Sequence, residues 1–246
     1  MPGSNFIGLV RFDDMDASEA SAWLAARPAA APFALVVTPN AQHLVLIARG
    51  DPYAQAAAAA VLVLNDSQVV RALARIFFGQ RLKLAAGSDV TALLLRDVLQ
   101  PEDPITIIGG STEMAARLGE QYGLTHIAQH IPPMGYAGQP EAFARALDFV
   151  LDHPARFTFV CTGTPQSEAL LLAVRRAGRG SGIGLSIGAS LFFATGMVRR
   201  APAWVRRAGL EWLWRLLLNP RRHFRRVFID SWPLLPLVWR AWRSHG

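Results

Sequence analysis

The feature that most constrains the fold is a regular alternation of short apolar runs with amphipathic stretches between residues 33 and 187. The apolar runs have the length of strands, and the stretches between them have helical spacing. The predicted strands cover 33–37, 60–64, 105–108, 157–161 and 183–187, and the predicted helices cover 40–48, 68–78, 89–98, 111–122, 141–151 and 167–177. This pattern predicts an α/β fold with a mainly parallel, Rossmann-like sheet and helices on both faces.

Polar or small residues follow each predicted strand. In parallel α/β folds, ligands bind beyond the carboxyl ends of the strands, where the strand order reverses. These junctions are therefore the candidate site. They comprise Thr38-Pro39-Asn40, Asn65-Asp66-Ser67, Gly109-Gly110-Ser111, Thr162-Gly163-Thr164 and Gly188-Ala189-Ser190.

Each junction has two interpretations. Asp66 either belongs to an ordinary helix cap or is a carboxylate placed to act as a general base. Thr38 and Asn40 either form a turn and cap or direct polar groups at a ligand. Gly109 begins a glycine pair whose backbone N–H groups could hold a phosphate, although it matches no established phosphate-binding pattern. His126 and His130 have no matching acidic partner, so unrelated histidines are favoured over a metal site.

Positive charge is concentrated at the C-terminus of this 246-residue chain, which has a net charge of +7. From Arg199 onward there are eleven arginines, opposed only by Glu211 and Asp230, and six of the seven tryptophans. Arginine mixed with tryptophan and leucine favours an anionic membrane surface. A solvated basic face and a nucleic-acid site remain as alternatives. We place an α/β core at residues 1–198 and a basic helical appendage at residues 199–246.

The remaining composition limits the location of the protein. No uninterrupted apolar run approaches the ~20 residues that a membrane-spanning helix needs. The first residues do not resemble a signal peptide. A single cysteine, Cys161, excludes an internal disulfide and favours a reducing compartment. We therefore expect a cytoplasmic protein that lies peripherally on the inner face of the plasma membrane.

Several motifs together resemble one family. The most specific runs from Arg200 to Leu216 and continues at Pro220-Arg221-Arg222, in the form RAP-x-W … GLEW-x-x-RL … P-x-R. The segments 38–40, 87–89 and 132–136 are similar to its T-x-N, G-x-D and PPMG-aromatic segments. With these motifs, nearly the whole chain resembles the WecG/TagA/CpsF glycosyltransferases.

The resemblance implies an inverting transferase that needs no metal. The donor would be a UDP-sugar, commonly N-acetylmannosamine, its uronic acid or a related hexose, and the acceptor a saccharide on undecaprenyl diphosphate. Asp66 matches the family's proposed base. The other implied substrate-binding residues are Thr38, Asn40, Asp89, Gly135, Tyr136 and Glu168, with Arg215, Arg222 and Arg225 closing over the donor diphosphate. Apart from the resemblance, the glycine pair adds Gly109 as a candidate substrate-binding residue through its backbone N–H group.

The chain departs from the family pattern at four positions. Ser67 replaces a glycine, Leu84 an arginine, Ser167 a glutamine and Phe192 an acidic residue. These changes motivate an alternative function, a catalytically impaired protein that binds nucleotide sugars or glycolipids on the same scaffold. A nucleic-acid-binding module is disfavoured, because the C-terminal segment is rich in tryptophan and leucine and the remaining chain is nearly neutral. A homo-oligomer is compatible with the sequence.

Overall fold

A computed structural model describes residues 3–202, 204–205, 210–218 and 224–245. The strands are β1 (Gly3–Phe6), β2 (Val10–Asp13), β3 (Ala34–Val37), β4 (Leu62–Val63), β5 (Ile105–Ile108), β6 (Ile127–His130), β7 (Phe157–Val160) and β8 (Ile183–Ser186). The helices are α1 (Ala17–Ala25), α2 (Ala41–Ala48), α3 (Pro52–Ala59), α4 (Gln68–Phe78), α5 (Gly87–Leu93), α6 (Thr112–Tyr122), α7 (Pro140–Asp152), α8 (Gln166–Ala177), α9 (Ser190–Ala194), α10 (Glu211–Leu218) and α11 (Leu234–His245). π-Helical turns follow at Leu94–Val98 and Arg225–Asp230.

Six strands form one parallel sheet in the order β4-β3-β8-β7-β5-β6. Every neighbouring pair in this sheet is parallel, which confirms the predicted α/β class. β1 and β2 form a separate antiparallel hairpin beside the β4 edge. There, the Asp13 carboxylate accepts a hydrogen bond from the backbone N–H of Val63 at 2.9 Å.

Helices cover both faces of the sheet. One apolar cluster joins one face of the strands to α2, α3, α4, α7 and α8. A second cluster joins the other face to α1, α5, α6 and α9. Because the strands are buried on both sides, their sequences are nearly continuous apolar runs, which is why the pattern was recognisable.

The predictions omitted β1, β2, α1, α3, β6 and the short helix α9. The hairpin strands are short and only alternately buried, so they lack a long apolar run. β6 is an edge strand of sequence IAQH and is half-buried throughout, so hydropathy does not distinguish it from a loop. α3 begins with an Asp51 cap and Pro52 at its first position, a combination that favours helix initiation.

The last helix lies against the α/β body. α11 contacts α2 and α4 and adds Leu234 and Val238 to the first apolar cluster. The Trp242 ring also packs edge-on against Phe77, with centroids 5.9 Å apart. Within the described ranges, none of the helices combines the length and hydropathy needed to cross a bilayer.

Candidate active site

Four loops meet at the carboxyl edge of the sheet, after β4, β3, β8 and β7. The central pair is β3 and β8, which are hydrogen-bonded neighbours. The helix after β3 packs on one face of the sheet and the helix after β8 on the other. Such a change of side between adjacent strands is where α/β folds bind their ligands.

Asp66 lies in the loop after β4, and its backbone is fixed on both sides. Its N–H donates to the Pro39 carbonyl at 3.2 Å, which joins this loop to the one after β3. The buried Asn65 side chain accepts from the Ser67 N–H at 3.1 Å and donates to the Lys83 carbonyl at 3.2 Å. Asp66 is half-buried. The loop therefore holds a carboxylate at the edge where a ligand is expected.

Ser67 occupies the position of the family's glycine without backbone strain. Its φ is −136°, an extended conformation that any residue adopts. Its hydroxyl accepts from the Val70 N–H at 3.2 Å and caps α4. This departure from the family pattern therefore leaves the geometry of the loop intact.

Thr38 and Asn40 flank Pro39 in the loop after β3. Thr38 is buried and lies against the start of α5, since a Cβ added to Gly87 would sit 3.0 Å from its Oγ1. Asn40 caps α2, and its Oδ1 accepts from the backbone N–H groups of Gln42 and His43 at 3.0 and 3.3 Å. The Asn40 oxygen thus has a structural role in this loop.

His43 begins a chain of hydrogen bonds that the sequence did not suggest. Its Nδ1 accepts from the Asn40 N–H at 3.3 Å, so in the neutral ring Nε2 carries the proton. Nε2 then donates to Thr164 Oγ1 at 3.1 Å, and Thr164 donates to Glu168 Oε1 at 3.2 Å. Ser186 Oγ also donates to Oε1, at 2.5 Å. The chain joins the ends of β3, β7 and β8.

Glu168 is 1% exposed, and its second oxygen, Oε2, has no hydrogen-bond partner among the described residues. Burial raises the pKa of Glu168 above its ordinary value, against the lowering effect of the bonds from Ser186 and Thr164. Burial, followed by the charges of Glu168 and Asp66, likewise raises the pKa of Tyr53. Tyr53 stacks on His43 with ring centroids 4.7 Å apart. Asp66 and Glu168 therefore act electrostatically on the same buried side chain.

The loops after β5, β6 and β7 form the other half of this edge. Gly109 has a φ of +87°, and an added Cβ would lie 2.8 Å from Thr162 Cγ2. Gly135, with φ +72°, turns the chain into the buried Tyr136. The Tyr136 hydroxyl is 3.3 Å from Thr162 Oγ1 and donates to the Gln166 carbonyl at 3.2 Å. Tyr136 thus joins the β6 loop to the β7 loop.

Asp89 is paired with an arginine from the C-terminal segment. Arg200 Nη1 and Nη2 donate to the two Asp89 carboxylate oxygens at 2.6 and 3.2 Å. Arg200 Nε also lies 4.0 Å from Glu211 Oε1. The sequence placed Asp89 at the donor, whereas its carboxylate in this structure joins α5 to the C-terminal segment.

The three predicted diphosphate arginines are distributed along the C-terminal segment. Arg215 lies within α10. Arg222 lies outside the described residues. Arg225 is exposed at the start of the second π-helical turn, with Nε 3.8 Å from Asp230 Oδ1. Their contact with a donor remains a prediction.

The other candidates do not join this edge as reactive groups. Burial raises the pKa of Cys161 to about 12, so its thiol stays protonated at neutral pH. His130 stacks on Phe149, and burial, followed by Arg145, lowers its pKa. Among the residues that the structure describes, no group of three or more His, Cys, Asp or Glu side chains is arranged to hold a metal ion.

Sequence reasoning missed His43 and Tyr53, whereas Thr164 lies in one of the predicted junctions. The available signal was weak: His43 lies three residues after a helix cap, and Tyr53 lies in the first turn of a helix that was not predicted.

A comparison with known protein families identifies the family of this chain. Residues 5–246 match the model of the glycosyl transferase WecG/TagA/CpsF family. The match spans the sheet, its carboxyl-edge loops and the C-terminal helices. The chain therefore belongs to the WecG/TagA/CpsF glycosyltransferase family and is a glycosyltransferase.

Proposed function

We propose that this glycosyltransferase inverts the anomeric carbon as it moves a sugar from a UDP-sugar to a saccharide on undecaprenyl diphosphate. The sugar is N-acetylmannosamine, its uronic acid or a related hexose. The observation that carries the proposal is the position of Asp66, which is held at the carboxyl edge of the sheet by Asn65 and Pro39. A carboxylate on a fixed backbone at this edge suits a general base.

In this reaction Asp66 takes the proton of the acceptor hydroxyl. The hydroxyl oxygen forms a bond to the anomeric carbon from the face opposite UDP, while the bond to the UDP oxygen breaks. UDP leaves with the bonding electron pair and gains negative charge. Without a metal, arginine side chains from the C-terminal segment stabilise this charge through paired hydrogen bonds.

The test compares Asp66→Asn with Asp148→Asn. Asp148 lies on α7, exposed and paired only weakly with Arg179 at 3.6 Å, so its variant controls for loss of a carboxylate elsewhere. With a short-chain polyprenyl-diphosphate-linked acceptor and a panel of UDP-sugars, Asp66→Asn should lower kcat by at least ~100-fold, because only the base is lost. Donor binding, followed by thermal shift, should persist.

Two outcomes would contradict the proposal. Near-normal transfer by Asp66→Asn would remove Asp66 from its role as base. UDP-sugar binding by the wild type without transfer to any lipid-linked acceptor would favour the alternative of a binding protein. The extended, capping conformation of Ser67 removes one of the reasons for that alternative.

We further propose that the C-terminal helices bind an anionic membrane surface. Trp232, Trp239 and Trp242 are exposed, and the Arg243 guanidinium lies 4.6 Å from the centroid of the Trp239 ring. Aromatic rings beside arginines suit the boundary between headgroups and acyl chains. The same arrangement provides a route by which the enzyme reaches a lipid-linked acceptor while its body stays in water.

Vesicle flotation tests whether the C-terminal helices bind an anionic membrane. Arg240→Glu/Arg243→Glu should weaken binding to phosphatidylglycerol vesicles by at least ~30-fold, because each basic residue contributes about 1 kcal/mol at such a surface. The control, Arg117→Glu/Arg145→Glu, makes the same change of charge on α6 and α7. Equal weakening by both variants would show that net charge alone drives binding. Binding of wild type to duplex DNA at moderate salt would instead support the nucleic-acid alternative.

A further inference from the structure

Asp89 and Asp97 lie on the same helical segment, and each pairs with an arginine, Asp89 with Arg200 and Asp97 with Arg96. The two pairs differ in their exposure to water. The Arg200 side chain is 18% exposed and the Asp89 side chain 38%, whereas Arg96 and Asp97 are 69% and 47% exposed. Both pairs have two hydrogen bonds. A charge that is withdrawn from water depends more on its partner than an exposed one does. Loss of the Asp89–Arg200 pair should therefore disturb the structure more than loss of the Arg96–Asp97 pair.

At the Asp89 end, the pair acts on the edge of the active site. Asp89 lies in the first turn of α5, two residues after Gly87. Gly87 packs directly on Thr38 in the loop after β3. The Thr91 hydroxyl donates to the Gly87 carbonyl at 2.7 Å and secures this turn. A displacement of Asp89 would thus reach Thr38 through one turn of helix.

At the Arg200 end, the pair acts on the C-terminal segment. Arg200 is followed by the buried side chains Ala201 and Val205. Its Nε lies 4.0 Å from the carboxylate of Glu211, the first residue of α10. Arg215, a predicted diphosphate ligand, belongs to the same helix one turn further on. Arg200 therefore stands between the turn that contacts Thr38 and the helix that includes Arg215.

We propose that Arg200 is a positioning residue that holds α10 against the first turn of α5, and that Asp89 serves sugar transfer by binding Arg200 rather than the donor. This inference rests on the proposed function, because its effect on catalysis requires the C-terminal arginines to stabilise the leaving diphosphate. The charge on UDP develops as the glycosidic bond breaks. Misplacing α10 therefore affects the transition state more than donor binding.

Kinetics of four variants test the proposal. Arg200→Ala and Asp89→Ala should each lower kcat by ~10- to 100-fold and leave the donor KM within about threefold, because transition-state contacts are lost. The double alanine variant should be no slower than the slower single variant, since both remove one interaction. The control Arg96→Ala should behave as wild type.

Two kinetic results would overturn the proposal. If Asp89 binds the donor directly, Asp89→Ala raises the donor KM. If the pair has no role in catalysis, Arg200→Ala keeps the wild-type kcat.

Hydrogen–deuterium exchange provides a readout that does not depend on turnover. Arg200→Ala and Asp89→Ala should speed exchange both in α10 and in the first turn of α5. Unchanged exchange in either segment would overturn the linkage. A wild-type enzyme without transfer activity would refute the proposed function instead, and exchange would still decide whether Arg200 joins the two segments.

Discussion

Replacing Glu168 by glutamine and by leucine separates the hydrogen bonds of this buried residue from its charge. Oε1 accepts from Ser186 Oγ and Thr164 Oγ1. Glu168→Gln keeps an oxygen that can accept both bonds, whereas Glu168→Leu leaves both hydroxyls without an acceptor. Both donors are half-buried, so each loss should cost about 1 kcal/mol, the low end of the range for a hydroxyl that loses its partner.

The leucine variant should therefore be destabilised by about 2 kcal/mol. In a chain of 246 residues, this corresponds to a fall in Tm of roughly 4–8 °C. The glutamine variant should melt close to the wild type at the low end of the pH range. Thr164 also anchors His43, so the leucine variant should lose transfer activity along with its stability.

The charge of Glu168 predicts a dependence on pH. Because burial raises the pKa of this carboxyl in the folded state, the folded protein binds the proton more tightly than the unfolded chain does. The resulting stability is fully present below the ordinary pKa of 4.5 and is lost as the pH rises through the raised pKa. Between the ordinary and the raised pKa, the free energy of unfolding of the wild type should fall by about 1.4 kcal/mol per pH unit relative to that of Glu168→Gln, which cannot ionise.

Thermal melts of the three proteins between pH 4.5 and 8.5 measure both effects. The Tm of the wild type minus that of Glu168→Gln cancels the titration of other groups and should fall as the pH rises. A flat difference would refute the raised pKa. Leucine and glutamine variants that melt within about 2 °C of each other would show that the two hydrogen bonds contribute little to stability.

Three further predictions concern single sites. Gly182→Ala should destabilise the fold by several kcal/mol, because φ is +81° and the new Cβ would lie 2.1 Å from the Ala155 carbonyl oxygen; denaturant unfolding measures this loss. Ser67→Ala should destabilise the fold by about 1 kcal/mol, because the Val70 N–H loses its acceptor, and should leave kcat unchanged. Denaturant unfolding and a transfer assay measure these two effects. Cys161 is half-buried, but its thiol should react slowly with thiol reagents in the folded state at neutral pH, because its pKa is raised to about 12; rapid labelling without unfolding would contradict the raised pKa.

The α/β sheet was predictable because its strands are buried on both faces. The five strands that the sequence predicted are all members of the sheet, and α4 (Gln68–Phe78) has the predicted bounds. β6 was missed because it is an edge strand that is only half-buried, and such a strand does not need an apolar run. A continuous apolar run therefore identifies a strand only where both of its faces are buried, whereas amphipathic helices such as α4 are recognised by their spacing.

The junctions could be predicted, but their connections could not. A polar residue after a strand is visible in the sequence, as for Asp66, Thr38 and Thr164. The contact between Thr164 and His43 joins residues 121 positions apart. It exists because β8 places the β7 loop near the β3 loop, and strand order is not encoded in local periodicity. The same reasoning applies to Asp89 and Arg200, whose pairing depends on where the C-terminal segment docks.

Three of the residues that depart from the family pattern fit their surroundings in this structure. Ser167 is buried, and its Oγ lies 3.1 Å from Thr162 Oγ1, so it supports the β7 loop. Phe192 packs on the second apolar cluster, and Leu84 is half-buried and uncharged. Replacing an arginine by leucine at position 84 removes a cation that the family usually has near the G-x-D segment. In the reaction that we propose, the C-terminal arginines then supply more of the charge that stabilises UDP, and the proposed role of Arg200 in orienting α10 becomes correspondingly more important.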